Sequence, residues 1–520
     1  MLDKYLNNRF LILYFTPLIL GSLTVFSFQP FNFTFINFLI LPFLFFFVIF
    51  IKKKSKSKYR KKPYRKQLFI FGTVFGFGFY LSGLHWITHS LTFDENFRFL
   101  IPVGLILIPL FLSLFFSLII LIIGPHLDLN ISSILFFSAS LSFSDFIRAK
   151  ILTGFPWNLW AYSFSWATEI IQTLNLIGLY AFNLITITLF TLPAVLFFKI
   201  NNKKKIFPLA FIASFFFILY IYGNYSINQN NIFLKSQDKK YNIKVISPNF
   251  DLKYDLSISE IENRLKKLVK YSEPDINKKT LFIWPEGPLS GYSYEEIFEF
   301  EKVISDNFNN NHLILYGTNR LNKEKGKYYN SLLVVNNKLA IVHQYNKQKL
   351  VPFGEFLPME KFLSNLGLKK ITEGRGAFLK GDKQKNIIID NLNILPLICY
   401  EVIFTKLVQQ ASDKTNLIIN ISEDGWFGKT IGPHQHFAKA IFRDIEQYSF
   451  LIRSANKGIS AIINNKGEVV KKLNINEAGN IEFEVPLIKS NYRNKNDLIF
   501  FILLFTYFLI YKIFKKNEKQ

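Results

Sequence analysis

Long apolar runs separated by short polar stretches fill residues 1–223, and one further run lies near the C-terminal end. Most of the runs approach the ~20 residues that a helix needs to cross the hydrocarbon layer of a membrane. The fifth run is the weakest, because it is rich in serine and ends in Asp145 and Arg148. We therefore predict an α-helical membrane bundle of eight transmembrane helices. They correspond to Phe10–Phe28, Phe33–Ile51, Leu68–Ile87, Phe99–Ile123, Ile131–Ile147, Ile170–Phe198, Ile206–Tyr222 and Leu498–Ile513.

Between residues 224 and 494 the pattern changes to short apolar stretches that alternate with amphipathic ones. This alternation predicts a layered α/β domain. We thus divide the chain into a membrane domain of seven transmembrane helices (1–223), an α/β domain (224–494), and a last transmembrane helix with a basic tail (495–520). Strands are predicted at Asn242–Ile246, Leu281–Trp284, Leu313–Tyr316, Ser331–Val335, Leu339–Tyr345, Ile394–Ile398, Asn416–Ile421 and Ile459–Ile463. Helices are predicted at Ser259–Lys270, Tyr294–Asp306 and His436–Phe450.

The composition favours a membrane region joined to one large water-soluble domain. Half of the residues are hydrophobic and 60 are phenylalanine, and this apolar content is concentrated in the long runs. The net charge of +25 suggests a nucleic-acid partner, but no basic strip interleaved with base-stacking aromatic residues is present. A single cysteine excludes an intrachain disulfide and a cysteine-cluster metal site. The sequence also has no glycine-rich phosphate loop, which argues against an ATP-driven transporter.

Basic residues in the loops predict the orientation of the helices. Ten basic residues and no acidic residue lie between Lys52 and Lys66. Further basic clusters follow the sixth and the eighth apolar run, at Lys199, Lys203–Lys205, Lys512, Lys515 and Lys516. If each predicted helix crosses once, all three clusters lie on one side, which the positive-inside rule identifies as the cytoplasm. Both termini then face the cytoplasm, and the α/β domain faces the opposite side.

The candidate nucleophile is Cys399, the one cysteine of the chain, within the run Ile394–Val402. An apolar stretch precedes it and the polar pair Tyr400–Glu401 follows, which predicts a buried strand that delivers a side chain to a turn. A free cysteine without further context is more often a small buried hydrophobe. Because the thiolate is the reactive form, the catalytic interpretation requires a base and a positive neighbour elsewhere in the chain.

Two other segments offer such partners. Glu286 follows a Trp-Pro pair that ends a predicted strand, and the Gly-Pro pair after it shapes a turn. Lys347 precedes the loop Leu350–Pro358, which is apolar apart from the carboxylate of Glu355. A lysine beside the sulfur would favour the thiolate and stabilise a developing oxyanion, and Glu355 would pair with it. On spacing alone, Lys349 is an equal candidate for this role.

The order of a glutamate, a lysine and a cysteine, each at a predicted strand end, resembles the nitrilase superfamily. In that superfamily a Glu–Lys–Cys triad lies on an α-β-β-α sandwich. Within it, the sequence is most similar to the membrane-embedded apolipoprotein N-acyltransferase family. The resemblance covers nearly the whole chain and selects Lys347 as the triad lysine, three residues before Leu-Val-Pro. The motifs that carry it are Thr153–Trp157, Trp284–Glu286, Tyr345–Glu355, Cys399–Glu401, Trp426–His436 and Arg453–Gly458.

The resemblance implies an acyl transfer in two steps. Glu286 would act as general base for Cys399, which would take an acyl chain from a phospholipid as a thioester while Lys347 stabilises the oxyanion. The N-terminal amine of a diacylglyceryl-cysteine on an apolipoprotein would then accept the chain. The family further implies a bacterial inner membrane, a periplasmic α/β domain, and chemistry without a cofactor, a metal or a nucleic acid. By likeness, three residues support the triad: Glu355, Tyr400 and Glu401.

Substrate contacts are predicted at aromatic residues of four loops, namely Trp157, Tyr254, Phe353 and Trp426. The stretch Ser247–Tyr254 departs from the family pattern, because tyrosine stands where a tryptophan is expected. This departure concerns substrate positioning rather than the reaction itself.

Three alternatives compete with the acyltransferase hypothesis. A membrane-tethered nitrilase-type amidase would release the acyl group to water. A transporter or lipid-binding scaffold would carry a degenerate α/β domain, and the intact triad argues against it. A metal site at His434 and His436, near Glu423 and Asp424, lacks a third ligand at ordinary spacing.

Overall fold

A computed structural model describes residues 8–55, 62–358, 360, 377–383, 386–409, 411–412, 414–488 and 497–517 of the chain. The chain divides into two compact units. The helical unit comprises Met1–Thr88, Phe99–Ser226 and Asn496–Gln520, and the α/β unit comprises His89–Arg98 and Ile227–Lys495. The predicted boundary at residues 494/495 and part of the basic loop between Lys52 and Lys66 lie outside the described residues.

Six helices among the described residues, each mainly in the helical unit, are long and apolar enough to cross a membrane. They are Thr34–Lys54, Tyr64–Thr92, Glu95–His126, Leu179–Phe197, Asn202–Lys235 and Leu498–Lys516. The first predicted run forms the shorter apolar helix Leu11–Ser27, and the fifth forms the more polar helix Ile131–Lys150. The sixth predicted run is not continuous, because Gly178 adopts a positive φ of 77° and separates Leu174–Ile177 from Leu179–Thr191.

Small residues allow two of these helices to approach closely. Gly72 and Gly76 on helix Tyr64–Leu84 face helix Ile101–Ile123, and a Cβ atom on either glycine would lie 2.8 Å from the Cα atom of Ser117 or Ser113. The Thr73 and Ser117 hydroxyl oxygens are 2.7 Å apart across the same contact. Close packing of small residues with hydroxyl hydrogen bonds is the usual way in which helices associate in a membrane, where the hydrophobic effect between them is absent.

The helical unit also buries a charged pair. Arg148 donates from Nη2 to Asp145 Oδ1 at 2.8 Å and from Nη1 to the carbonyl of Phe155 at 2.5 Å. Asn183 donates from Nδ2 to Asp145 Oδ2 at 3.1 Å and accepts from the amide of Ala161 at 3.0 Å. One cation and one anion are thus paired, and Arg148 Nη1 and Asp145 Oδ2 contact neutral groups of the neighbouring segments.

The α/β unit contains two six-stranded sheets. The first has the order β12-β1-β2-β3-β4-β5 and the second the order β11-β10-β9-β8-β7-β6. At the centre of each sheet three strands run parallel, β1-β2-β3 and β7-β8-β9. The strands are β1 Lys240–Ser247, β2 Thr280–Ile283, β3 His312–Asn322, β4 Lys327–Val335, β5 Ile341–Asn346, β6 Ile387–Ile389, β7 Leu392–Ile398, β8 Leu417–Glu423, β9 Phe450–Asn456, β10 Ser460–Ile463, β11 Val469–Leu473 and β12 Gly479–Pro486.

The two sheets share one hydrophobic core. Alternate residues of the first sheet, such as Val245 and Ile283, pack with Ile398, Ile419 and other residues of the second. The opposite face of the first sheet packs against helix Ile258–Ser272, and helix Gly432–Gln447 contacts the second sheet. The predicted layered α/β domain is therefore observed as a helix-covered pair of sheets. Among the described residues of the unit, further short helices lie at Tyr294–Ile297, Glu301–Ser305 and Thr405–Gln409.

All eight predicted strands are present, but four further strands (β6, β9, β11 and β12) were not predicted. The predicted helix His436–Phe450 is wrong at its end, because the helix stops at Gln447, Tyr448 adopts a left-handed φ of 57°, and Phe450 begins β9. The predicted helix Tyr294–Asp306 is interrupted by a 3-10 turn at Phe298–Phe300.

Candidate active site

Four segments that follow strands carry the polar residues of the candidate site. Glu286 comes after β2, Lys347 directly after β5, Cys399 directly after β7, and Asp424 directly after β8. Because β7 and β8 are parallel neighbours, their carboxyl ends lie at the same edge of the second sheet. The amide of Lys347 continues the ladder between β4 and β5 by donating to the carbonyl of Asn330 at 2.9 Å, which fixes where the lysine side chain starts.

Lys347 lies between two carboxylates. Its Nζ atom is 3.2 Å from Glu286 Oε1 and 2.9 Å from Glu355 Oε1, and only 1% of its side chain is exposed. Asn330 joins the same two carboxylates, because its Nδ2 atom donates to Glu286 Oε1 at 2.8 Å and to Glu355 Oε1 at 2.7 Å. Burial would lower the pKa of Lys347, but the carboxylates of Glu286 and Glu355 outweigh it and raise that pKa well above its ordinary value. The lysine is therefore a permanent cation.

The remaining oxygens of both glutamates accept backbone hydrogen bonds. Glu286 Oε2 accepts from the amide of Glu423 at 3.0 Å, and Glu355 Oε2 accepts from the amide of Val351 at 2.8 Å. In each of the two carboxylates, one oxygen thus contacts Lys347 and the other accepts a backbone amide. Neither Asn330 nor Glu423 was assigned to the catalytic group from the sequence. The one available signal for Asn330 was its position directly before the predicted strand Ser331–Val335.

Glu401 connects the segment around Lys347 to the turn around Cys399. Its Oε1 atom accepts from the amides of Gln348 at 2.7 Å and Lys349 at 3.0 Å, and its Oε2 atom accepts from the amide of Ile398 at 2.9 Å. The hydroxyl of Tyr345 donates to the same carboxylate at 2.9 Å. Burial raises the pKa of Glu401 to about 7, against the lowering effect of these backbone donors. The side chain therefore fixes the lysine segment and the cysteine turn to each other.

Cys399 sits on a turn with a positive φ of 50°, which is strained for a residue with a Cβ atom. Its side chain is buried. Burial raises the pKa of the thiol above its ordinary range; the charge of Glu286 adds to this shift, and Lys347 opposes it. The resting side chain is accordingly a thiol that needs a base. Tyr400 packs its ring at 5.1 Å from that of Phe404, edge to face, beside this turn.

The predicted substrate-contacting aromatic residues fall into two groups. In the α/β unit, the Trp426 ring lies 6.0 Å from that of Tyr254 and 5.3 Å from that of Phe93, while Phe353 is 44% exposed on a tight turn with a φ of 64°. Trp157 belongs to the helical unit, where it is buried at 4.7 Å from the ring of Trp86. Tyr254 and Trp426 thus meet, whereas Trp157 lies in the other unit.

The alternative metal site at His434 and His436 would require two side chains that converge, as alternate residues of an extended segment can. Both histidines instead lie on helix Gly432–Gln447, where side chains two positions apart point in different directions. His436 instead contacts Asp424, with Nδ1 3.0 Å from Oδ1. Within the described ranges, no group of three or more His, Cys, Asp or Glu side chains is arranged to hold a metal ion.

Comparison with known proteins identifies both halves of the chain. The family described as apolipoprotein N-acyltransferase N-terminal domain matches residues 20–192, and the family described as carbon-nitrogen hydrolase matches residues 255–489. The apolipoprotein N-acyltransferase of Rickettsia typhi is 32% identical over 453 residues, which cover 84% of this chain and 89% of that protein. The protein of the same name from Brucella melitensis is 30% identical over 80% of this chain and 79% of its own length.

Solved structures resemble the chain over about half of its length. The crystal structure of a carbon-nitrogen hydrolase from Helicobacter pylori has a TM-score of 0.36 and 17% sequence identity, and the match covers 48% of this chain and 90% of that one.

Proposed function

This chain belongs to the apolipoprotein N-acyltransferase family, and we propose that it transfers an acyl chain from a phospholipid, through a cysteine thioester, to the N-terminal amine of a diacylglyceryl-modified lipoprotein. It is an enzyme, an acyltransferase with a carbon-nitrogen hydrolase domain and membrane helices. The observation that carries the proposed mechanism is the buried ammonium of Lys347, held between Glu286 and Glu355 while its charge acts on the thiol of Cys399.

In the first step Glu286 takes the proton of Cys399, and the thiolate attacks the acyl ester carbonyl of the phospholipid. The carbonyl oxygen gains negative charge, which the Lys347 ammonium and a backbone N–H near Tyr400 stabilise. The carbon–oxygen bond of the ester then breaks, and the lysophospholipid leaves with the proton from Glu286. The high pKa of Lys347 supports its assignment as an electrostatic stabiliser, because a lysine that stays protonated cannot serve as the base.

In the second step the α-amine of the lipoprotein cysteine attacks the thioester. Glu286 accepts a proton from that amine, the carbon–sulfur bond breaks, and the sulfur leaves as a thiolate that takes this proton back from Glu286. Glu355 and Glu401 act as positioning residues, because Glu355 holds Lys347 and Glu401 holds the turn that carries the nucleophile. Tyr254, Phe353 and Trp426 are proposed to contact the acyl chains, and Trp157 is proposed to contact lipid within the helical unit.

A membrane-embedded site suits two substrates that are both lipid-anchored. Moving an acyl chain into water costs about 0.8 kcal/mol for each CH₂ group, so extracting a whole chain would cost on the order of 10 kcal/mol. We propose eight transmembrane helices, seven in residues 1–223 and one in residues 495–520, in the bacterial inner membrane. Both termini would be cytoplasmic, and residues 224–494 would form a periplasmic catalytic domain. The basic loop and tail support this orientation.

The acyl-enzyme provides the direct test. The full-length protein in detergent is incubated with a phospholipid that is radiolabelled in its acyl chains, and the protein is then treated with neutral hydroxylamine, which cleaves thioesters. We expect label on the wild type that hydroxylamine removes, and none on Cys399→Ser. Equal labelling of the two proteins would refute the thioester.

The acceptor provides the second test. Addition of a diacylglyceryl-cysteine peptide should move the label from the enzyme to the peptide. Release of free labelled fatty acid without transfer would instead identify an amidase-like hydrolase that uses water as its acceptor. This outcome would be consistent with Cys399 as the nucleophile but would contradict the assignment of the protein as an acyltransferase.

A further inference from the structure

Asn456, the last residue of β9, holds a piece of backbone that lies outside both sheets. Its Oδ1 atom accepts from the amide of Phe250 at 2.8 Å, and its Nδ2 atom donates to the carbonyl of the same residue at 2.8 Å. Asn456 is 1% exposed and Phe250 is 6% exposed. Buried backbone groups need hydrogen-bond partners, so one side chain supplies the pair of bonds that a neighbouring strand would otherwise supply.

The second hydrogen of the same amide group is donated to a carboxylate. Asn456 Nδ2 donates to Glu423 Oε2 at 2.8 Å, and Glu423 Oε1 accepts from the amide of Gly425 at 2.8 Å. A side-chain amide has two N–H hydrogens and one carbonyl oxygen. Both hydrogens and the oxygen of Asn456 are therefore used, and they join the segment after β1, the end of β8 and the end of β9.

The segment held in this way carries Tyr254, which is proposed above to contact the acyl chains. The ring of Tyr254 lies 6.0 Å from that of Trp426. The backbone carbonyl of Tyr254 packs against Gly291, which has a positive φ of 89° and leaves no room for a Cβ atom. Because Phe250 is only four residues before Tyr254, a displacement of the backbone at Phe250 would move the tyrosine away from Trp426.

The base is held by a different part of the same pair of residues. The backbone amide of Glu423 donates to Glu286 Oε2 at 3.0 Å, and Glu423 and Asn456 are register partners in the ladder between β8 and β9. A change in the side chain of Asn456 leaves this ladder in place. It should therefore affect the binding of substrate rather than the proton transfer.

We propose that Asn456 is a positioning residue for the substrate: its side-chain amide joins the segment after β1 to the carboxylate of Glu423 and so holds Tyr254 beside Trp426. This proposal rests on the proposed function, since it assumes that Tyr254 contacts the acyl chain of the substrate.

Several charged groups surround this contact. The charges of Glu286 and Asp424 act on Glu423, and Glu423 acts on Arg264 of helix Ile258–Ser272. Lys457, the neighbour of Asn456, is paired with Asp251 at 2.6 Å between Nζ and Oδ1. All of these groups are retained in the variants described next, so they act equally on the wild type and on each variant of Asn456.

The test replaces the amide with a carboxyl group. In Asn456→Asp one oxygen can still accept from the amide of Phe250, but the other faces two acceptors, the carbonyl of Phe250 and the carboxylate of Glu423. A proton bound between the two carboxyl groups restores a donor, so the contact is present at low pH and is lost as pH rises. Burial already raises the pKa of Glu423 to about 8.

The measurement is the rate of acyl transfer from a labelled phospholipid to a diacylglyceryl-cysteine peptide by the full-length protein in detergent. We expect the KM of Asn456→Asp for the phospholipid, divided by that of the wild type at the same pH, to rise about tenfold between pH 6 and pH 9. The kcat ratio should stay within about threefold, as expected when only substrate binding is weakened.

A matched control and an exchange separate this role from a merely structural one. Asn464, in the turn between β10 and β11, is 4% exposed, and its Nδ2 atom donates to Glu468 Oε2 at 2.8 Å. Asn464→Asp should therefore leave the KM ratio independent of pH. In the double variant Glu423→Gln with Asn456→Asp, the amide now at position 423 can donate to the carboxylate at position 456 without a bound proton, so the KM ratio should no longer vary with pH.

The outcomes distinguish this proposal from the proposed function. A wild type that forms the hydroxylamine-sensitive acyl-enzyme, together with an Asn456→Asp protein whose KM ratio is constant with pH, would overturn the role of Asn456 alone. A fall in kcat at unchanged KM, or an equal effect in Asn464→Asp, would do the same. Absence of the acyl-enzyme in the wild type would overturn both proposals.

A second variant covers the case in which Asn456→Asp does not fold. Asn456→Ala removes the amide without adding a charge, and we expect its KM to be about tenfold higher than that of the wild type at every pH, with kcat nearly unchanged. A KM equal to that of the wild type would overturn the proposal.

Discussion

Each unit of this molecule buries charged side chains, and the two arrangements differ in the ratio of acidic to basic groups. In the helical unit, Arg148 and Asp145 form a one-to-one pair whose other contacts are the neutral Asn183 and the carbonyl of Phe155. In the α/β unit, Lys347 faces two carboxylates and an ionisable thiol.

This difference distinguishes a buried ion pair that holds segments together from a buried charged cluster that is suited to proton transfer. A one-to-one ion pair fixes one segment to another, because the loss of either partner would leave the other charge buried without a counterion. A cluster with more acids than bases raises the pKa of its cation and of its thiol, so that both are protonated in the resting protein. The following predictions test this contrast, beginning with the largest expected effect.

Glu286→Gln removes the proposed base while keeping the shape of the side chain. We expect the rate of acyl transfer to a diacylglyceryl-cysteine peptide to fall by about 10²–10⁴-fold, the usual contribution of general base catalysis. Glu299→Gln, an exposed acid of the same unit, is the matched control and should behave like the wild type. A Glu286→Gln protein within a factor of three of the wild type would contradict the assignment.

Lys347→Met removes the cation from between Glu286 and Glu355. Loss of the oxyanion stabiliser should lower kcat by about 10²–10³-fold, because the stabilisation is needed most in the transition state. The two carboxylates left without their cation should also reduce the free energy of unfolding by about 3–5 kcal/mol, measured as a lower melting temperature in detergent.

Lys349→Gln tests the choice between the two lysines that spacing alone left open. Its effect on kcat should be much smaller than that of Lys347→Met. If Lys349→Gln had the larger effect on kcat, the assignment of the two lysines would have to be exchanged.

Arg148→Gln should affect stability rather than the chemical step. The change leaves Asp145 buried without its cation and releases the carbonyl of Phe155, so we expect a loss of about 3–5 kcal/mol in the free energy of unfolding. The kcat of the protein that remains folded should stay within a few-fold of the wild type. The double change Asp145→Asn with Arg148→Gln should recover part of the stability, since no buried charge is then unpaired.

Glu423→Gln should change the pH dependence of stability. Burial raises the pKa of Glu423 from 4.5 to about 8, and the charges of Glu286 and Asp424 add to this shift. Between pH 4.5 and about 8 the folded chain therefore binds a proton that the unfolded chain has released. Stability of the wild type must fall as pH rises through this window, by on the order of a few kcal/mol.

The glutamine variant lacks this proton and should lose less stability between pH 5 and pH 8. Melting temperatures of both proteins, measured in one detergent across that range, check the prediction. Glu401, whose pKa burial raises to about 7, contributes equally to both proteins, so the difference between the two curves isolates Glu423. Parallel curves would show that Glu423 is ionised in the folded protein at pH 5.

The strands that precede Glu286 and Cys399 could be predicted because each contains a short apolar run, Leu281–Trp284 and Ile394–Ile398, that ends shortly before the polar residue. The same logic failed for β9, where Arg453 is buried inside the strand through its bonds to Asp424 and therefore breaks the apolar pattern. The end of the preceding helix was missed because Tyr448 adopts a left-handed conformation that no glycine marks in the sequence.

The candidate site likewise contains residues that could be predicted from the sequence and residues that could not. Residues whose role follows from chemical type and position, such as Cys399, are visible in the sequence. Asn330 is part of the site because its side chain donates a hydrogen bond to Glu286, which lies 44 positions away in the chain. Pairing of that kind depends on how the strands are arranged, which the local pattern of hydrophobic and polar residues does not specify.

Glu401 has a further consequence for the movement of the site. One carboxylate accepts backbone amides from both sides, so a displacement of the segment after Lys347 also displaces the turn that carries Cys399. Glu401 therefore acts as a brace that makes the two segments move together rather than apart.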